Sequence, residues 1–269
     1  MVTDGDGVQA GIDAAEKDVE IWGDDVCHGL AVAGSDFGLG GAGYGVGDFC
    51  RGKAMATLQL RQIRVPEGQT IEIEDVSWAD FEVILQELGE KRNTRIAYSE
   101  GTLTIVAPMP AHEVEKVCIG RCVEVLLDEL ECDYTSYGST TFKNESMLKA
   151  VEPDDCFYIR HADLMAGKQR INLSTDSPPE LAIEIDLTSK TQLDAYLGLG
   201  VEELWRFDGG RLRIDCLRNG EYVEVVESPL FPGWPIKEAV ERYVREAKAS
   251  NQRKAKKAFR QWVIERIKE

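Results

Sequence analysis

Long apolar runs are missing from this 269-residue chain. Its hydrophobic stretches last only a few residues, against the roughly 20 that a helical membrane span needs, so a soluble, non-membrane protein is expected. The opening MVTDGDGVQAGIDAAEKDVE is acidic and lacks the apolar centre of a secretory signal. Histidine is scarce: three occur, no two at metal-ligand spacing, which argues against a zinc site. The seven cysteines (27, 50, 118, 122, 132, 156 and 216) contain no CxxC pair. Cys118 and Cys122 stand one helical turn apart within an apolar stripe, the pattern of reduced, core-filling thiols in a cytoplasmic protein. Positive charge is also in deficit, with 31 Lys/Arg against 48 Asp/Glu and a net of −17, unlike a broad nucleic-acid-binding surface.

That charge is unevenly spread. Residues 237–269 hold eleven Lys/Arg and five Glu, a net of +6 that leaves −23 for residues 1–236. Residues 1–54 differ again, holding thirteen of the 25 glycines. Their GLGGAG run has the formal G-x-G-x-x-G spacing at Gly38, Gly40 and Gly43. A dinucleotide site requires a strand before it and a helix after it, whereas more glycine follows here. The expected organisation is a glycine-rich, disordered segment or mis-assigned start over 1–54, a folded domain over 55–235, and a basic helical tail over 236–269.

Within the central region, Ser77 followed by WADFEVILQELGEKR reads as a capped amphipathic helix. RIAYSEGTLTIVAP reads as a hairpin turning at Glu100-Gly101, and HEVEKVCIGRCVEVLLDELE as a long helix. Strands are expected in 134–142, at CFYI (156–159), at LAIEIDL (181–187) and in three short runs between 203 and 227, with a helix starting near Ser189. Helices interleaved with strands make this an α/β chain.

LAIEIDL poses the functional question. Apolar side chains at 181, 183, 185 and 187 mark a buried strand, while Glu184 and Asp186 share the other parity. Strand alternation would place their Cα atoms roughly 6.5–7 Å apart on one face. Buried carboxylates without partners are costly. A hard divalent cation relieves that cost, since Mg²⁺ takes one or two carboxylates and keeps waters that a phosphate oxygen can replace. Asp154, after Pro153 at the start of an expected strand, is a candidate third acid, and Lys190 a candidate for steadying charge on a phosphoryl group. Each has a plain structural alternative: Asp154 as a turn cap, Glu184 as an arginine partner, Asp186 as a cap, Lys190 as a surface lysine.

The ordered elements EPDDCFYI, PPELAIEIDLTSK and YLGLGVEELWRFDG resemble the Uma-type restriction endonuclease family of the PD-(D/E)XK nuclease superfamily, over roughly Trp78 to Pro232. The resemblance implies a restriction-endonuclease-like core, a central mixed β-sheet flanked by helices. It implies Mg²⁺-dependent (or Mn²⁺-dependent) hydrolysis of DNA phosphodiesters, with Asp154 and Glu184 holding the metal. By strand parity, Asp186 is the candidate to assist them as a further metal ligand. The superfamily's lysine position, two residues after the glutamate, is Asp186 here; the position four before Tyr196 is Gln192. Lys190 or Gln192 is therefore the candidate for orienting water, and His112 or Glu113 for completing the pocket. Pairing into a homodimer through strands 211–217 and 221–227 is a further expectation. The alternative is a catalytically decayed nuclease fold that serves as a binding or dimeric interaction protein, a reading the −23 body favours and the basic tail opposes.

Overall fold

The computed structural model describes residues 62–89, 92–187 and 189–269, together with the strand backbones at 19–20 and 57–58. The chain divides into a unit ending at Arg64 and a unit over Val65–Glu269. In the first, β1 (Val19–Glu20) pairs antiparallel with β2 (Thr57–Leu58). The GLGGAG run, Cys27, Cys50 and the expectations about the start of the chain lie outside the described residues.

The second unit is a mixed α/β domain built on two sheets. The first sheet is antiparallel: β3 (Thr70–Ile73), β5 (Thr102–Val106), β4 (Arg95–Ser99), β8 (Lys149–Val151) and β7 (Phe142–Asn144), in that spatial order. The β4–β5 hairpin turns at Glu100-Gly101, both with positive φ (49° and 99°), as a tight two-residue connection requires. Helix α1 (Trp78–Leu88) starts where Ser77 Oγ accepts the Asp80 N–H at 3.1 Å. Its Phe81 stacks on Tyr98 of β4 at 4.8 Å between ring centroids.

The second sheet carries β6 (Thr135–Ser136), β9 (Asp155–Tyr158), β10 (Leu181–Ile185), β11 (Glu203–Asp208), β12 (Arg211–Arg218) and β13 (Glu221–Val225), ordered β13-β12-β11-β10-β9-β6. β10 and β11 run parallel and the other neighbours antiparallel. Parallel strands need a crossover, supplied by α4 (Lys190–Leu199). Ser189 Oγ caps its start by accepting the Gln192 N–H, and Gly200, left-handed at φ 79°, ends it.

Alternation along β10 decides which helix meets which face. Leu181, Ile183 and Ile185 join the cluster formed by α2 (Pro110–Glu129), α5 (Ile236–Ala249) and α6 (Gln252–Ile267). Ala182 joins the opposite cluster, with Ala195, Tyr196 and Leu199 of α4 and Met165 of α3 (Ala162–Met165).

Two expectations change here. The stretch 236–269, read from its charge as a tail, is part of this core: Val240, Tyr243, Val244, Phe259 and Val263 are buried against α2 and the sheet. Positive charge marks the outer faces of α5 and α6, while their apolar stripes seal the fold. Of the two segments proposed as dimer edges, β12 is paired on both sides, by β11 and β13. Its ladder groups are taken, and only β13 of the two presents an edge.

The described cysteines are free thiols, all buried except Cys132. Helix α2 approaches β9 closely at Gly120, where a Cβ would stand 2.4 Å from Asp155 Oδ2. That carboxylate is fixed by the Ser136 hydroxyl at 3.2 Å and the Cys156 N–H at 2.9 Å. Gly120→Ala should therefore destabilise the protein by about 1–3 kcal/mol through overpacking, instead of gaining the ~1 kcal/mol that alanine usually confers in a helix. Urea denaturation measures this, and adding Asp155→Ala should recover part of the loss.

Candidate active site

The chain passes from one sheet to the other in three residues. Glu152 still belongs to the first, its N–H bonded to Ile96 O at 3.1 Å. Pro153 has no N–H to satisfy. Asp154 belongs to the second, donating its N–H to Ile183 O at 3.1 Å. Buried Glu152 anchors this crossing: it accepts from Arg92, from Thr141 Oγ1 at 2.5 Å and from Ile96 N at 3.2 Å.

At the crossing the side chain of Asp154 turns to β10, and its Oδ2 accepts the Ile185 N–H at 2.9 Å. Glu184, on the α4 face of β10, lies beside it, and one carboxylate oxygen accepts the hydroxyl of Tyr196 from α4. Both carboxyls are almost fully buried, at 7% and 3% exposure. Burial is the main force raising the Glu184 pKa, followed by the neighbouring Asp154 charge. The Tyr196 hydroxyl and Arg95 oppose that rise, while a hydrogen bond between the two carboxyls adds to it. Asp154 is also raised, chiefly by burial, against the pull of the Ile185 N–H, Arg95 and Lys116. The Tyr196 hydroxyl is itself driven up by burial and by the carboxylate it serves. Two carboxyls forced together out of water hold a proton between them unless a cation arrives.

The nearest cation comes from the first sheet. Arg95 opens β4, with Nε 3.9 Å from Asp154 Oδ1 and Nη2 3.7 Å from Glu113 Oε1. Among the described residues its buried Nε–H has no hydrogen-bond partner, so a donor stands beside the carboxyl pair. Lys116, one turn into α2 from Glu113, reaches that carboxylate at 3.5 Å.

The remaining expected site residues are placed differently. Strand alternation does not extend to Asp186: β10 ends at Ile185, and Asp186 takes a left-handed backbone with φ 54°, a conformation Asp tolerates better than most residues. Its N–H bonds Phe207 O at 3.0 Å, and its carboxylate meets His112 Nε2 of α2 at 2.5 Å. It is thus turned to the α2 side, with Asp208 and Glu115 as acidic neighbours, and does not share a face with Glu184. His112 serves Asp186 and is not brought to the Asp154–Glu184 pair. Lys190 is exposed, with 89% of its side chain accessible and Asp194 3.9 Å away, so it does not reach the carboxyls. Gln192 is buried in the first turn of α4 and gives its backbone N–H to Ser189. Among the described residues no group of three or more His, Cys, Asp or Glu could hold a metal ion, so the pair stands as two protein oxygen ligands at most.

Arg95 and Tyr196 are what sequence reasoning passed over. Tyr196 carried a signal, since a tyrosine on the buried stripe of an amphipathic helix needs a partner for its hydroxyl. Arg95 carried none, because its role depends on how one sheet meets the other.

A family model described as "Putative restriction endonuclease" (Uma2) matches residues 78–244, a span that includes Arg95, Asp154, Glu184 and Tyr196. Among solved structures, the crystal structure of a "putative nuclease belonging to DUF820" from Anabaena variabilis ATCC 29413 is 16% identical, with a TM-score of 0.42. The likeness covers 59% of this chain and 96% of that one. Among curated proteins none matches.

The carboxyl pair has a thermodynamic signature. In the folded state Glu184 and Asp154 keep protons that the unfolded chain releases above their ordinary values of 4.5 and 3.8. The folded form binds more protons, so with metal chelated by EDTA this pair's contribution to stability falls as pH rises past about 4.5. Glu184→Gln removes most of that slope. At pH 7.5 it should be more stable than wild type by on the order of 1 kcal/mol, the scale of one imperfectly compensated buried polar group. At pH 4 the difference should vanish, as urea titrations at the two pH values would show.

Proposed function

Since the chain belongs to the Uma2 restriction-endonuclease family, we propose that it is a metal-dependent endonuclease hydrolysing DNA phosphodiester bonds at Asp154 and Glu184. The observation that carries this reading is the buried carboxyl pair beside Arg95, whose Nε–H is unpartnered among the described residues. Two hard oxygen donors that resist ionising together suit Mg²⁺ or Mn²⁺, which accept few protein carboxylates and fill the rest of their shell with water and phosphate. When bound, such an ion supplies positive charge to a phosphoryl oxygen and lowers the pKa of a bound water.

The protein's own groups do the rest. Asp154 is held against β10 by the Ile185 N–H, and Glu184 is oriented by Tyr196, so both donors are fixed before any ligand arrives. Arg95 offers its free Nε–H to the phosphate, where negative charge grows as the water oxygen bonds to phosphorus and the sugar oxygen departs with a proton. Arg95 thereby fills the place the superfamily gives to a lysine on the glutamate's own strand, where this chain has Asp186.

The competing reading is a nuclease fold whose site has decayed, favoured by the net charge of −17, which repels a polyanion. A supercoiled-plasmid nicking assay with Mg²⁺ or Mn²⁺ separates them. Wild type should nick, Asp154→Ala and Glu184→Ala should fall to background, and Arg95→Ala should lose about 10²–10³-fold, as for removal of one charge-stabilising donor. Lys190→Ala should stay within about two-fold of wild type, the usual result for a surface residue remote from the reaction. Equal activity of wild type and Asp154→Ala would reject the site, and inactivity of the wild type with both metals would favour decay.

A further inference from the structure

Helix α6 lies beyond the segment 78–244 that the family matches. Its first two turns carry Arg253, Lys254, Lys256 and Lys257, of which all but the half-buried Lys256 are exposed. No side chain of the four forms an ion pair among the described residues, in contrast to Arg260 two turns on, which meets Asp128 at 3.1 Å and Glu129 at 3.0 Å. Like charges three and four residues apart on a helix repel. A helix buried through Ala255, Phe259 and Val263 cannot bend away to relieve that repulsion, so an external polyanion is the natural counter-charge.

The stripe also has a position. Gln252, the first residue of α6, accepts from Arg121 Nη1 of α2 at 2.5 Å, and Arg260 reaches the end of α2. The two helices therefore run in the same direction. Just before, Lys248 at the end of α5 pairs with Glu115 of α2. The basic stripe thus starts beside Arg121 and runs toward Asp128, along the same helix α2 whose first turns carry His112 and Lys116. His112 bonds Asp186, and Lys116 acts electrostatically on Asp154.

We propose that Arg253, Lys254 and Lys257 form a backbone-binding track for duplex DNA on the helix packed beside α2. The proposal rests on the nuclease reading for its choice of polyanion. An acidic chain that must hold DNA needs its positive charge concentrated, and this stripe concentrates it next to the helix that borders the carboxyl pair. Exposed lysines and arginines without base-reading partners make salt-sensitive contacts to phosphate that carry no sequence preference. The surrounding acidic surface repels duplex bound elsewhere and so narrows the approach.

Fluorescence anisotropy of a labelled DNA duplex with the full chain in EDTA tests the track apart from cleavage. The triple variant Arg253→Glu/Lys254→Glu/Lys257→Glu should bind at least ten-fold more weakly at low salt. The slope of log affinity against log salt should be shallower by about 2–3, as for the loss of two or three phosphate contacts at ~0.9 each. The neutral triple Gln variant should show the same change in smaller measure, and serves if the Glu variant loses its circular dichroism spectrum. Asp154→Ala should bind at least as well as wild type. Wild-type affinity in the folded triple variants, or no DNA binding by wild type, would overturn the proposal; so would unchanged DNA binding with loss of binding to a poly-glutamate peptide, which would point to an acidic protein partner. Weakened binding in the triple variant, with wild type unable to nick plasmid, would reject the nuclease reading and leave the track standing.

Discussion

Two carboxyl groups are held together out of water where the chain changes sheets, and much of the domain can be read as what that arrangement requires. A crossing of three residues leaves little freedom. Pro153 contributes no donor, and Asp154 spends its N–H on Ile183 and its carboxylate on Ile185. Both bonds of Asp154 thus tie the start of β9 to β10, while Glu152 keeps the chain on the first sheet. The other carboxyl is presented by β10 itself, on the face that α4 covers. α4 in turn is the crossover demanded by the parallel β10–β11 pair, so the helix that closes the fold also brings Tyr196 to Glu184. The positions of the second sheet, the crossing and α4 are one constraint expressed three times.

Such a site sets stability against function. Apolar neighbours surround Glu184: Ala182 on its own strand, and Ala195, Tyr196 and Leu199 on α4. That environment disfavours the charged form, and together with the Asp154 charge it raises the Glu184 pKa. Arg95 reduces the penalty without removing it, because at 3.9 Å its Nε approaches Asp154 without hydrogen-bonding it. A tighter ion pair would stabilise the fold and occupy the carboxylate. The looser arrangement leaves both the pair and the guanidinium available, as expected of a site that gives up local stability to receive a ligand.

How much of this was legible in the sequence depended on whether the information was local. Helix α1 is announced by Ser77 and its apolar spacing, and the start of α4 by Ser189. The β4–β5 hairpin is announced by Glu100-Gly101, and β10 by its unbroken apolar parity. Asp154 and Glu184 were legible because a carboxyl at a strand start and another inside an apolar strand both violate local rules. Asp186 misled because parity assumes that the strand continues, and a single left-handed residue reorients everything after Ile185. Lys190 misled because proximity in sequence was taken for proximity in space, whereas the first turn of α4 points it to solvent. The tail misled because net charge reports a helix's outer face and is silent about the stripe Ala255, Phe259 and Val263 that buries it.

Arg95 shows why the missing part was not recoverable from spacing. It precedes Asp154 by more than fifty residues and belongs to the other sheet, so only the packing of one sheet beside the other makes them neighbours. A lysine on the glutamate's own strand would keep metal ligands and cation on one rigid element, indifferent to the rest of the domain. Here the cation arrives on β4, whose register is fixed by β5 and β8, and the carboxyls on the crossing and on β10. Their separation is therefore set by the crossing, which Glu152 clamps by binding Arg92, Thr141 and the Ile96 N–H. A shift of one sheet against the other would move the Arg95 donor while leaving Asp154 and Glu184 in place. In this architecture the guanidinium and the carboxyl pair can be uncoupled mechanically, and the Glu152 clamp is what keeps them in register.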